Sequence, residues 1–419
     1  MESKTLVNSE KWTDAQIKKN IIWNTIGISS HSLYGVVIMI IVARINGLEV
    51  MGGFSFAFYF ASIFFAIGMY GGKIYQISDI KNEFTNSNYV SQKIASSLLM
   101  LIAALVFCLL NGYETNRILL ILIFLAYRMF ESVSEAYFGV MERNGRLDLT
   151  GKSRSFKILI GLGGFVVINS LTMNIYIASM AFVLSYGLVL VFYERAKVAK
   201  FDTIVIRFER KILELFKKCF SVFIFAFLTL LILNVSRYFV DIFLGDQELA
   251  IFNIIVMPTA IMALFIQFIF QPFMMELTFA LKNKEYKKYR KKVVKLFTLL
   301  SVIGFVAASV AFLIGIPVLS FIYAVDLSSF RGMLVLMVVS GIAGGGSVAF
   351  SMLLTLMRKL NIQIALFTIT LMVGVLTSIL LIPSHGIYGA FIGVAITNIV
   401  QMILFSIGYC LMNRSYCVD

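Results

Sequence analysis

Residues 91–140 read SQKIASSLLMLIAALVFCLL, then NGYETN, then RILLILIFLAYRMFESVSEAYFGV. Each outer segment is an apolar run of about 20 residues, the length an α-helix needs to cross the hydrocarbon of a bilayer. A short polar break between two such runs describes a helical hairpin in lipid, whereas a membrane β-barrel would show brief alternating segments instead. The same pattern extends in both directions. Of 419 residues, 60% are hydrophobic and 14% charged, with a mean hydropathy of +0.91; a soluble domain is roughly half apolar and a quarter charged.

Windows of about 19 residues predict an all-α polytopic membrane protein. Its twelve spans lie near 20–44, 49–72, 91–111, 117–140, 155–170, 174–194, 216–243, 248–275, 293–324, 328–357, 361–382 and 386–412. The span at 155–170 is short, and its separation from the next rests on Asn169 to Asn174. The N-terminal stretch carries Lys4, Lys11, Lys18 and Lys19 with no apolar core before Ile21, which predicts no cleavable signal peptide. Cys108, Cys219, Cys410 and Cys417 have neither metal nor redox spacing and read as packing residues.

Charge tests the layout, because Lys and Arg collect in short cytoplasmic loops. With both termini placed in the cytoplasm, 31 of the 36 basic residues fall on that side. Arg44, Arg117, Arg128, Arg237 and Arg331 are left over, and the opposite loops hold Glu49, Glu114, Asp246, Glu248 and Asp326. The net charge of +14 is therefore chiefly a topology signal. The basic loops contain no folded nucleic-acid reading module, so no nucleic-acid partner is expected.

The longest polar interruption lies near the middle and divides the chain. The division gives a cytoplasmic tail at 1–19, an N-lobe of six helices at 20–194, a basic linker at 195–215, a C-lobe of six helices at 216–412 and a tail at 413–419. Lys18-Lys19 and Lys217-Lys218 stand 199 apart, as do Glu49 and Glu248, which hints at a repeat. Internal repeats with a site at their interface are the usual build of secondary transporters working by alternating access.

Two motifs then carry a resemblance. The stretch Ala43-Arg44-Ile45-Asn46-Gly47-Leu48-Glu49 followed by Gly52-Gly53-Phe54-Ser55-Phe56-Ala57 is one. The other is Leu381-Ile382-Pro383-Ser384-His385-Gly386-Ile387-Tyr388-Gly389-Ala390. Together they resemble the polysaccharide transporters, the O-antigen and capsule repeat-unit flippases, of the multidrug/oligosaccharidyl-lipid/polysaccharide (MOP) exporter superfamily. The resemblance covers the full length. It implies two lobes around a central, often cationic cavity in the cell membrane. That cavity would turn an undecaprenyl-pyrophosphate-linked oligosaccharide from the cytoplasmic to the outer face for capsule, O-antigen or exopolysaccharide assembly. Membrane lipids, glycosyltransferases and a polysaccharide polymerase are the implied partners. Each motif also has a plain packing role: Pro383 and Gly386 break one helix and start another, and Gly389 with Gly393 gives a small-xxx-small face. The runs Gly341 to Gly346 and Gly161 to Gly164 read as packing, the former alternatively as a hinge.

Ionisable groups inside spans cost several kcal/mol unless paired or facing a cavity. Arg128, Glu131 and Glu135 are spaced three and four apart and share one face of span four. Arg128 would meet a phosphate and a carboxylate would release it or titrate with Na+ or H+; the static alternative is a buried salt bridge that fixes packing. The triplet has one acid more than pairing requires. Arg237 lies in span seven with Asp241 one turn on, and Arg44 ends span one. The three arginines are expected to converge on the cavity and neutralise the pyrophosphate. Snorkelling of Arg44 and a local Arg237–Asp241 pair are the alternatives. Asn24, His31 and Tyr34 in span one are candidates for sugar or proton contacts. In span eight, Gln267 and Gln271 precede Pro272 and Glu276, which predicts an interrupted helix lining a pathway. The basic run from Lys282 to Lys295 anchors topology or recruits a phospholipid-linked substrate.

No catalytic or metal-binding constellation is present around His31 or His385, and no cofactor is expected. A membrane polymerase or glycosyltransferase would carry a large outer loop with catalytic charges. A drug or cation antiporter of the same superfamily would share the fold but favour an acidic cavity. A scaffolding membrane protein would not need charges at mid-membrane.

Overall fold

A computed structural model describes the backbone of residues 14–79, 81–283 and 285–416, with their side chains except at 260–261, 263–272, 275, 282 and 414–416. Among these residues the regular structure is helical throughout, as it must be where lipid offers backbone groups no hydrogen bonds. The helices are α1 (Asp14–Asn46), α2 (Leu48–Met69), α3 (Gly72–Ser78), α4 (Asn86–Leu110), α5 (Thr115–Arg143) and α6 (Leu147–Thr172). Then come α7 (Ile175–Leu188), a π-helical turn (Val189–Glu194), α8 (Arg195–Val198), α9 (Arg210–Leu244) and α10 (Asp246–Lys282). The chain ends with α11 (Tyr286–Val310), a second π turn (Ala311–Gly315), α12 (Ile316–Tyr323), α13 (Arg331–Leu356) and α14 (Leu360–Tyr416). Nine of the described helical stretches are long and apolar enough to cross a membrane. This is a multi-pass membrane protein.

Burial runs opposite to that of a soluble protein. Leu110, Leu171 and Phe321 are each about 80% exposed, while Ser91, Gln92, Lys93, Ser132 and Asp148 are fully buried. The apolar surface is the face presented to acyl chains.

Contacts divide the chain into two units: residues up to Ile41 with Ala57–Phe223, and Val42–Phe56 with Ile224–Asp419. The α1–α2 corner, residues 42–56, groups with the second unit, and the division of α9 falls between Phe223 and Ile224. Within the second unit the α1–α2 corner turns at Gly47 (φ 88) and the α9–α10 corner at Gly245 (φ 85). A side chain on Gly52 would strike the Asp246 carbonyl, so the two corners touch through backbone. In the first unit, Gly27 of α1 meets Gly151 of α6 in the same way, and neither position has room for a Cβ.

Four expectations are settled by local geometry. The break between α6 and α7 falls at Met173 (φ 51), and Asn174 caps α7 by accepting from the Tyr176 and Ile177 N–H groups. Helix α6 is longer than its apolar window because Lys152, Arg154 and Lys157 lie inside it. Gly386 (φ 57, ψ −141) bends α14, with Gly389 pressed on the Leu381 carbonyl. The glycines at 341, 344 and 346 face Thr259, Asn398 and Met402 within an unbroken α13, as close packing requires. Contrary to expectation, α10 also runs without interruption through Pro272, its backbone helical from Asp246 to Lys282. The side chains of Gln267 and Gln271 lie outside the described residues.

The connection after α8 is held down along its length. Residues 202–209 are extended, and the Val205 and Arg207 N–H groups donate to Ser87 Oγ and Ser91 Oγ, each at 3.1 Å. Those serines sit one turn apart on α4, matching alternate residues of an extended chain.

Candidate functional site

The face of α5 begun by Arg128, Glu131 and Glu135 continues at helical spacing through Phe138 and Glu142 to the helix end. Every acid on it is paired in the first unit. Arg128 donates to Glu131 Oε2 (2.6 Å) and to Ser62 Oγ (3.0 Å), while His31 Nε2 lies 3.2 Å from Glu131 Oε1. Glu135 takes both Lys73 Nζ (2.8 Å) and Arg154 Nη2 (3.0 Å). Lys73 also reaches Glu142 at 2.9 Å. Glu135 is thus not the spare acid that sequence counting suggested, because α3 and α6 supply two cations that lie far from it in the chain.

Arg128 is 7% exposed, and its guanidinium lies 4.8 to 5.7 Å from the ring centres of Phe65, Tyr127 and Phe58. Its Nε has no hydrogen-bond partner among the described residues. A buried guanidinium N–H without an acceptor is costly. Tyr34 shares a 3.0 Å hydrogen bond with Tyr127, and its ring packs against those of Phe58 and Phe182. His31, by contrast, is only partly buried. Asn24 stands where α1 crosses α6, its backbone N beside Gly151.

Sequence reasoning missed the rest of the constellation. Lys157 (2% exposed) pairs with Glu194 (0%) at 2.5 Å, and Ser134 and Ser153 bond the same two groups. Lys93, fully buried, donates to the Met69 carbonyl. Lys73, Arg154 and Lys157 all lie within 5.6 Å of the Phe138 ring centre. These lysines were counted as loop charges, yet extending the α5 spacing to Glu142, and noting Arg154 and Lys157 three apart on α6, points to them. Summed, Lys73, Lys93, Arg128, Arg154 and Lys157 face Glu131, Glu135, Glu142 and Glu194, leaving the cluster slightly cationic.

Arg44 and Arg237 belong to the second unit. Arg44 is exposed and donates to the backbone carbonyls of Ile322 (2.6 Å) and Phe321 at the end of α12. Arg237 donates to Asn253 Oδ1 (2.7 Å), and Asn253 Nδ2 to Ser55 Oγ (2.9 Å). Asp241 is buried one turn beyond Arg237.

Outside the spans, Asp79 closes the loop before α4. It accepts from the Glu83 and Phe84 N–H groups and the Tyr89 hydroxyl. Burial alone would raise its pKa, but these donors hold the carboxyl below the ordinary carboxylate value.

Residues 17–278 match the family model described as polysaccharide biosynthesis protein. The capsular polysaccharide biosynthesis protein CapF of Staphylococcus aureus is 24% identical over 379 residues, 87% of this chain and 92% of that protein. Among solved structures, a mutant of the Vibrio cholerae MATE transporter VcmN superposes with a TM-score of 0.64 at 16% identity, over 97% of this chain and 99% of that one. A MOP superfamily transporter from Pyrococcus furiosus, described as having a binding pocket of reversed polarity, gives 0.65 at 16% identity over 96% of each chain. At such identities the likeness establishes the fold alone, which is that of the MATE transporters.

Proposed function

The chain belongs to the polysaccharide biosynthesis protein family, and from that premise we propose that it is a flippase for lipid-linked oligosaccharide repeat units. The substrate is an undecaprenyl-pyrophosphate-linked oligosaccharide, moved from the cytoplasmic to the outer face of the cell membrane by alternating access. With the bend at Gly386 separating two crossings and α11 with α12 forming one, the chain crosses twelve times with both termini in the cytoplasm. Arg128 receives the pyrophosphate, and Arg44 and Arg237 supply further positive charge from the second unit. Glu131 steadies Arg128 and Glu135 steadies Lys73 and Arg154; these acids, with Asp241, fix the cations or exchange a coupling ion. Asn24, His31 and Tyr34 contribute polar contacts along the path.

The observation that supports this most is Arg128: a buried guanidinium in mid-helix, gripped on one side by Glu131 and Ser62 and without an acceptor at Nε among the described residues. A permanent positive charge suits a phosphate and repels a cationic drug. The test is Arg128→Gln beside Arg128→Lys, with membrane abundance and surface polysaccharide measured together. Arg128→Gln is expected to abolish polysaccharide at wild-type abundance, and Arg128→Lys to restore part of it. Normal polysaccharide in the Gln variant would overturn the assignment. If deleting the gene left polysaccharide intact but sensitised cells to cationic drugs, the antiporter reading would replace it.

A further inference from the structure

A cavity of about 510 Å³ opens at one end of the first unit, between the start of α4, the end of α5 and the extended connection before α9. Its cations come from three different elements: Arg143 from α5, Arg207 from the connection and Lys211 from α9. Asp202 and Glu209 also line it, but Asp202 is occupied, accepting from Asn86 Nδ2 and the Thr203 N–H, each at 2.8 Å. Arg143 is partly engaged, donating to the Asp79 carbonyl (3.3 Å) and to Asn82. The N-terminus of α4 is closed by its own Thr85–Asn88 capping box, so the helix end is not what would hold an anion.

The rim has the opposite character. Phe201, Val205, Ile206 and Phe208 are 38%, 44%, 55% and 65% exposed, interleaved with Arg207 and Arg210. A loop surrounded by water gains nothing by displaying four large apolar side chains in eight residues. At a bilayer surface the same arrangement places apolar groups at the acyl boundary and guanidinium groups among the headgroups. The serine bonds to Val205 and Arg207 keep the segment in this attitude without any ligand.

We infer that this cavity binds the phosphodiester headgroup of an anionic membrane phospholipid, with the acyl chains lying along the Ile206 and Phe208 rim. Net positive charge in the pocket beside an apolar rim fits an amphiphile with an anionic head better than a soluble anion or a zwitterionic lipid. None of the pocket's residues belongs to the α5 stripe, so the site is separate from the proposed transport path.

The experiment is native mass spectrometry of the purified full chain titrated with phosphatidylglycerol or phosphatidylcholine. The variants are Arg207→Gln/Lys211→Gln and, as a control on the basic run of the second unit, Lys287→Gln/Lys288→Gln. All four positions are exposed, so the fold should survive their replacement. Wild type is expected to prefer phosphatidylglycerol. With each cation contributing about fivefold, the pocket variant should bind it roughly 30-fold more weakly, while the control is unchanged. Equal affinity for the two lipids, an unaltered pocket variant or an equal loss in the control would overturn the assignment. So would displacement of the lipid by millimolar inorganic phosphate, which would mark a soluble-anion site. Tight binding of undecaprenyl phosphate with phosphatidylglycerol excluded would instead assign the pocket to the lipid carrier.

Discussion

The two units bury different chemistry. The first encloses Lys93, Arg128, Glu131, Asp148, Lys157 and Glu194, whereas Asp241 is the one charge in the second's buried set among the described residues; the others there are Ser, Thr, Asn and Gln. In the second unit Ser347, Thr370 and Thr397 return their hydrogen bonds to carbonyls three or four residues back on their own helices. A helix satisfied by itself can slide past its neighbours without orphaning a polar group. Charge pairs between helices forbid that, because separating them leaves a bare ion in a low-dielectric interior. The first unit is thus a charged wall pinned by ion pairs between helices, whereas the second relies on neutral hydrogen bonds, some within one helix and some between helices, as in Ser236–Ser378 and Asn253–Ser55.

The largest effect should come from breaking the wall. Lys157→Ala leaves Glu194 buried without its counter-ion, and is expected to cost about 3–5 kcal/mol, read as a lower Tm in detergent. Lys157→Met with Glu194→Leu should recover most of it; a neutral single variant would erase the contrast between units. Gly386→Ala comes next, since φ 57 with ψ −141 is a conformation reserved for glycine, and should cost about 1–3 kcal/mol. Gln363→Leu in the second unit is smaller, about 1 kcal/mol, because its partners Ser351 and Thr355 are hydroxyls and Thr355 already bonds the Ser351 carbonyl. A loss equal to that of Lys157→Ala would break the comparison.

The smallest concerns pH at Asp79. Its carboxyl titrates lower folded than unfolded, so its contribution is complete above the unfolded value of about 3.9 and fades as pH falls through the folded one. The stability gap between wild type and Asp79→Asn should therefore narrow on acidification from pH 7 to 3. A constant gap would show that the carboxylate is not what closes that loop.

Much of the fold was legible because lipid imposes long apolar runs, and the breaks at Asn174 and Gly386 obey familiar capping and glycine rules. The site was legible only where its parts share a helix. Arg128, Glu131 and Glu135 declared themselves by spacing, but Lys73 and Arg154 converge on Glu135 from α3 and α6, and no local pattern encodes that. Lys93 and Lys157 were misread for a related reason: near a span end, a lysine bound for the interior looks the same as one bound for a loop. Pro272 misled in the other direction, since α10 continues through it.

The π turn at Val189–Glu194 carries a last consequence. A wide turn holds one residue more than an α-turn, and one residue is worth about 100° of helical phase. The turn acts as a vernier, and the carboxylate that meets Lys157 owes its bearing to that surplus residue. Deleting a residue from the turn would keep Glu194 in the sequence yet swing it out of register with its counter-ion.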